Sequence, residues 1–329
     1  MRSRRTNRII LVHLVSFTLV TLATTAGERE RFTPKFVPGE VLRYRIESRT
    51  TTTGKTTTPI VNPEGGSQST QAVHMVVRLD TLDVAPSGEV RFRATYEKSS
   101  AESESDALDL SASSFADQYN RFEGHSVELT MEPGGQFRVL KGGGTTPADR
   151  PVDSGEPADD PVLALLQGLS LGGVLPVKGV AVGEKWTSEQ PIEGALLAGL
   201  FRRTESSYLR NEPCGSSAES RTSVNQAGGR PDDCAVILTH FEILRHGSAH
   251  SDVTPDDYRR NGLRTSGTWT GSGESLDSIS LSTHLLVSST LTSTQEMDYR
   301  ITSANTGSSI HHVGKVRNQS EISSVPDQP

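Results

Sequence analysis

The chain has 329 residues, of which 33% are hydrophobic, 5% aromatic and 22% charged, with a formal net charge of −7. That length suits one large domain or two modest ones. The apolar content falls below the globular norm even when the 30 glycines are added, so the core is modest and some segments have the composition of disorder. The acidic balance argues against a nucleic-acid binder working through a basic face.

Residues 1–26 read as a secretory signal. Arg2, Arg4, Arg5 and Arg8 form a positive start with no acid, Ile9 to Ala23 is apolar, and Thr24-Thr25-Ala26 offers small residues for cleavage. An uncleaved anchor would need about 20 apolar residues. This stretch is shorter and is broken by His13, Ser16 and two threonines. No Cys lies near the cut, so a lipid-modified terminus is not expected, and no later segment is apolar enough to span a membrane. Removing four of the 33 basic residues and none of the 40 acidic ones moves the net charge from −7 to −11. The expectation is an exported protein, periplasmic or extracellular.

Downstream the hydrophobic period is two, the period of half-buried strands. In VLRYRIES, Leu42, Tyr44 and Ile46 alternate with charged residues; Val73, Met75, Val77 and Leu79 follow the same rule. An APSG turn leads into Val90, Phe92, Ala94 and Tyr96. SSFADQYNRF reads as a short helix. HSVELTMEPGGQFRVLKG is the clearest hairpin, turning at Pro-Gly-Gly. Thr50 to Thr70 and residues 142–161 have linker composition. DPVLALLQGL then opens like a helix, with Asp160 as N-cap and Pro161 in the first turn. Pro191 to Phe201 suits a helix or a buried loop. Ala235 to Leu244 has the apolar content of a central strand, and two long Ser/Thr-rich strands and a last one at Ile310 to Val316 close the chain.

The fold class expected is therefore mainly β: antiparallel sheets of long Ser/Thr-rich strands with one face wet, plus a few short helices. The organisation is a signal at 1–26, an N-terminal β subdomain at 27–141, a flexible linker at 142–161 and a C-terminal β subdomain at 162–329. The alternative is that the two halves complete one continuous sheet. Cys214 and Cys234 flank a polar excursion, with no CxxC and no His within five residues of Cys214, so a disulfide is expected.

FVPGEVLRYRIE, VELTMEPGGQF, LPVKGVAVGEKWTSEQPI and the Thr-rich stretch from Gly267 to Ile301 occur in an order that resembles a group of exported bacterial proteins of unknown function. The resemblance implies export and a β-rich fold, and no activity.

Motifs of catalysis are missing. There is no GxSxG elbow, no Ser three residues before a Lys, and KGGGTT lacks the ending that seats a phosphate. His246 and His250 are four apart but separated by Gly247 and Ser248, so a loop is expected rather than a zinc-binding helix face. The Asp pairs 159–160, 232–233 and 256–257 sit in polar stretches with Pro and read as turn residues. No catalytic residue, metal or cofactor is expected. Trp186 and Trp269 each anchor a sheet core or line an apolar cleft. If there is a cleft, Leu166, Leu197, Leu200 and Phe201 line it with Trp186. The leading expectation is an exported non-enzymatic binding or envelope-associated protein holding an apolar small molecule or meeting another envelope protein. The alternatives are a structural, protein-partner β module and a hydrolase with an unrecognised site.

Overall fold

The computed structural model describes residues 29–58, 66–106, 115–117, 119–132, 137–139, 175–176, 178–192, 194–215, 232–246 and 252–325. The signal-like segment, the 142–161 stretch, the DPVLALLQGL segment with Leu166, and His250 lie outside them. The described residues form eleven strands: β1 (Val41–Thr57), β2 (Ser67–Val84), β3 (Val90–Ser105), β4 (Ser126–Met131), β5 (Phe137–Val139), β6 (Lys185–Pro191), β7 (Leu200–Pro213), β8 (Asp233–Arg245), β9 (Leu263–Ser280), β10 (Leu286–Ser303) and β11 (Ser309–Ser324). Among the described residues, helix is limited to 115–117 and 119–120, within the expected SSFADQYNRF segment, and to Asp256–Arg260.

All the strands join one antiparallel sheet in the order β5-β4-β3-β2-β1-β11-β10-β9-β8-β7-β6. Each half of the chain is an up-and-down meander, and the halves meet where β1 pairs with β11 from Tyr44↔Ser324 to Thr57↔His311. Strand alternation assigns every residue of this sheet to one of two faces. The inner face carries Tyr44 and Ile46 of β1, Met75 and Val77 of β2, Phe92, Ala94 and Tyr96 of β3, and Ala235 and Ile237 of β8, all buried. The outer face of β1 carries Arg43, Arg45, Glu47 and Arg49. The expected APSG turn is present, with Gly88 at φ 86, and β4 pairs with β5 through Met131 and Phe137 as the expected hairpin requires, its Pro-Gly-Gly residues lying outside the described ones.

The sheet is curled. Phe32 packs edge-on against Tyr208 of β7, and Phe36 packs edge-on against Phe92 of β3. In a flat sheet β3 and β7 would lie seven spacings, roughly 33 Å, apart, whereas the four residues from 32 to 36 reach about 14 Å. The sheet therefore wraps around the segment that precedes β1, with the apolar face inside. Main-chain bonds tie that segment down: Glu30 and Val180 exchange N–H···O bonds at 2.8 and 2.9 Å, and Lys35 N–H donates to Thr283 O at 2.8 Å.

Cys214 and Cys234 form a disulfide, with Cα atoms 5.0 Å apart, at the end of the β7–β8 pair where the connection between the two strands begins. A bridge closing a loop of this separation, 20 residues, restrains the unfolded chain by about 3 kcal/mol in the loop-entropy picture. Among the described residues, no helix is long and apolar enough to cross a membrane.

Candidate functional site

The inner face is a graded surface. At the end where β1 begins, it is a closed core. Tyr44, Ile46, Met75, Val77, Tyr96 and Leu129 pack together there, with Phe115, Tyr119 and Phe122 laid against them. Val180, Tyr208, Ala235, Ile237, Ile279 and Leu286 continue it across the other half, with Phe32 and Trp186 alongside. Ile322 of β11 touches both parts, and Tyr44 Oη donates to Leu286 O at 3.1 Å, so the two meanders share this core. Burial pushes the Tyr44 phenol well above its usual range, and the nearby Glu40 adds to the shift.

At the opposite end a second core joins Leu197, Leu200, Ile243 and Val253, with Trp269 and Tyr299 against it. It is covered by the turn at residues 194–199 and by residues 252–255, whose hydrogen bonds fix them: Ala198 N–H donates to Val253 O at 2.7 Å, and Thr265 Oγ1 donates to Val253 O at 3.1 Å. Between the two cores the inner face is half-exposed. Leu291, Ser293, Gln295 and Met297 of β10, Val316, Asn318 and Ser320 of β11, Trp269 and Ser275 of β9, and Ser48 and Thr50 of β1 all lie there.

Five inner-face positions are glycines: Gly54, Gly267, Gly271, Gly273 and Gly314. Glycine in a strand marks a close approach, supplied by β10 backbone at Gly267 and largely by neighbouring side chains at Gly271, Gly273 and Gly314. The Phe241 ring occupies the space over Gly273, and the His312 ring that over Gly54 and Gly314. Arg202 stacks on the other side of Phe241, 5.1 Å from the ring centroid. His312 also contacts Thr56 Oγ1 at 2.9 Å and tilts against Tyr299, and its burial and the adjacent His311 lower its pKa. The indole N–H of Trp269 donates to Gln295 Oε1 at 3.1 Å. The middle of the inner face thus presents rings and thioether lying among hydroxyls and amides.

Of the sequence-derived pocket residues, Leu197 and Leu200 come together in the second core, and Trp186 stands in the first. Phe201 alternates to the other face from Leu200 and stacks on His246, ring centroids 3.6 Å apart. Leu166 lies outside the described residues. Among the described residues no group of three His, Cys, Asp or Glu side chains is placed to hold a metal ion. The adjacent histidines split as strand alternation requires, His311 pairing with Asp298 at 2.8 Å and His312 turning inward.

Two inner-face groups escaped the sequence reading. His284, in the β9–β10 turn at φ 57, contacts Thr33 O through Nδ1 and the Glu30 carboxylate through Nε2, each at 2.9 Å, and so fastens the segment before β1. Asp277 is 6% exposed and accepts hydrogen bonds from Ser275 at 3.1 Å and Ser289 at 2.6 Å. Burial raises its pKa, and the two hydroxyls only partly offset that. The folded chain therefore holds this proton to higher pH than the unfolded chain, whose ordinary value is 3.8. Stability tied to the proton is complete below that value and is lost as pH rises through the folded-state pKa. Asp277→Asn keeps an oxygen acceptor and removes the charge. Its melting temperature should exceed the parent's at about pH 8, and the advantage should vanish near pH 3.5; a constant difference across that range would place the charge elsewhere.

These features define a class: an open antiparallel β-sheet protein, curled on its own N-terminal segment and stapled by one disulfide. No family model matches the chain, and no curated protein matches it. Among solved structures it is similar to a lipovitellin chain, from a structure concerned with lipid–protein interactions in that protein, at 12% identity and a TM-score of 0.35; the match covers 90% of this chain and 26% of that one. It is also similar to the outer membrane protein OprG from Pseudomonas aeruginosa, at 6% identity and a TM-score of 0.14, over 89% of this chain and all of that one. The chain thus spans about a quarter of the lipovitellin chain it matches.

Proposed function

We propose that the protein is an exported, non-enzymatic binding module of the cell envelope that holds a ligand with an apolar part along the inner face of its sheet. The observation that carries this reading is the half-exposed band between the two cores. Leu291, Met297, Val316 and Trp269 alternate there with Ser48, Thr50, Ser293 and Asn318. Ligand sites combine apolar walls with a few polar groups in this way. A chain that fills its own interior would carry apolar residues at all of these positions. The disulfide and the signal-like residues 1–26 support export.

The test is native mass spectrometry of residues 27–329 produced in an oxidising compartment, followed by the denatured mass. The expected result is a non-covalent adduct lost on denaturation and absent from a folded Met297→Asp variant. A clean apo monomer, or an adduct kept by that variant, would overturn the reading. A second reading rests on β6: among the described residues it is paired only with β7, leaving one backbone edge of Lys185–Pro191 for another β protein to extend. Crosslinked partners mapping to β6 in a protein without an adduct would favour it.

A further inference from the structure

The outer face is hollow as well. Twisted sheets are saddles, and two depressions, of about 700 and 930 Å³, follow one another along β1, β11, β10 and β9. The register arranges their side chains in cross-strand rows. Arg49, Gln319, Thr292, Glu274 and His240 form one row, and Thr51, Arg317, Thr294, Ser272 and Glu242 the next. Two further rows follow, Thr53 with Lys315, Glu296 and Thr270, then Lys55 with Val313, Asp298 and Thr268. Together they line one trough across the middle of the sheet.

Charge in the trough is sorted by strand. Its lysine and arginines stand on β1 and β11 and its acids on β8, β9 and β10, with Asp106 after β3 and the imidazole of His240 on β8 also in the lining. Three acids already have side-chain partners: Glu296 pairs with Lys315 at 2.8 Å, Asp298 contacts the His311 ring at 2.8 Å, and Glu274 contacts the His240 ring at 3.1 Å. Arg49, Arg317 and Lys55 have no ion-pair partner among the described residues. Arg49 and Arg317 are diagonal neighbours, and Lys55 lies six residues further along β1, about 20 Å away. Three unmatched cations thus recur along one wall of a hollow in a chain whose net charge is −7.

We propose that this trough binds an extended acidic glycan, its carboxylate or sulfate groups meeting Arg49, Arg317 and Lys55. Recurring cations along a line match anions repeated along a chain better than a single small anion. Arginine suits these groups because its planar fork donates two hydrogen bonds at once. Between the cations the lining is short hydroxyls, Thr51, Thr53, Thr292, Thr294 and Ser272, which donate and accept and so match a polyol. Strand alternation turns the Phe241 ring to the inner face, so among the described residues no Phe, Tyr or Trp ring projects into the trough, where the His240 imidazole is the ring present. That leaves no row of rings to stack the successive bases of a single-stranded nucleic acid and no tryptophan or tyrosine anchor of the kind protein interfaces centre on. The site is separate from the inner face and does not depend on the ligand proposed there.

The test is the affinity of residues 27–329 for polygalacturonate, heparin and neutral dextran at low salt, where charge contacts are least screened. The expected result is binding to one or both polyanions and none to dextran. The double variant Arg49→Glu/Arg317→Glu should then bind at least about tenfold more weakly. The charge-matched control Arg121→Glu/Lys178→Glu, both exposed sites away from the trough, should stay within about twofold. Preference for polygalacturonate or heparin identifies the anion as carboxylate or sulfate. Failure of the parent to bind either polyanion, equal binding of dextran, or equal loss in both double variants would overturn the proposal. The native-mass adduct of the inner face, measured on the same variants, should be unchanged, so the two sites fail separately.

Discussion

Phe32→Ala should lower the stability of the oxidised protein by about 3 kcal/mol, the cost of truncating a packed ring. It should also free the segment that precedes β1. Phe32 touches Tyr208 and His284 edge-on, at centroid distances of 5.7 and 5.8 Å, and packs against two of the apolar clusters. Without the ring, the contacts of His284 with Thr33 and Glu30 and the Glu30–Val180 bridge remain, but they lose the apolar cover that keeps water from competing. Denaturant unfolding measures the first effect. Faster amide hydrogen exchange at Glu30, Val180 and Lys35, with the β1–β2 ladder still protected, measures the second. Exchange that stayed slow at those three amides would show that the segment is held by its hydrogen bonds alone.

The contact between Phe241 and Gly273 should show strong non-additivity. Phe241 is 9% exposed, and its ring fills the space a side chain at position 273 would need. Phe241→Ala should cost about 3–5 kcal/mol. Gly273→Ala forces its new methyl against the ring and to within 2.6 Å of Thr292 O, a crowding cost of about 1–3 kcal/mol. In the double variant the ring is gone, so the loss should fall short of the sum by at least about 1 kcal/mol. Additive losses would mean that the clash is with the β10 backbone and that the ring does not define the site. Chemical denaturation of the four proteins completes the cycle.

Much of the fold was legible because it depends on local alternation. Tyr44 and Ile46, Met75 and Val77, Phe92 and Tyr96 announce β1, β2 and β3 directly, and the strands either side of Pro-Gly-Gly pair as β4 and β5. The cysteine pair was readable from its flanks. β6 and β7 were not, for a physical reason. The inward positions of β7 include Arg202, Thr204 and Ser206, and a bulge between Tyr208 and Arg210 breaks the period, so apolar alternation is absent where the strand is. The site was less legible than the fold. Leu197, Leu200 and Trp186 are correctly apolar and partly or fully buried, but which end of the sheet each occupies is decided by pairing between distant strands. The glycines at 267, 271 and 273 did leave a signal, two-residue spacing on one face around Trp269 within a Ser/Thr-rich run. Asp277 and His284 left none, because their roles come from neighbours far away in the chain.

The first and last strands of the chain lie side by side in the middle of the sheet, and the chain's midpoint supplies both borders. Among the described strands the other nine pairings link neighbours in sequence, so all eleven strands can zip together hairpin by hairpin, as two ribbons, at little entropic expense. The β1–β11 pairing is different: Ile46 meets Ile322, and closing so long a loop must precede any reward. Refolding should therefore run in two stages, two fast independent ribbons followed by a slower docking step. A circular permutant that joins the end of β11 to Arg29 by a short linker, keeping the segment before β1, and opens the chain between β5 and β6 would make that last step far more local, and should merge the two stages into one.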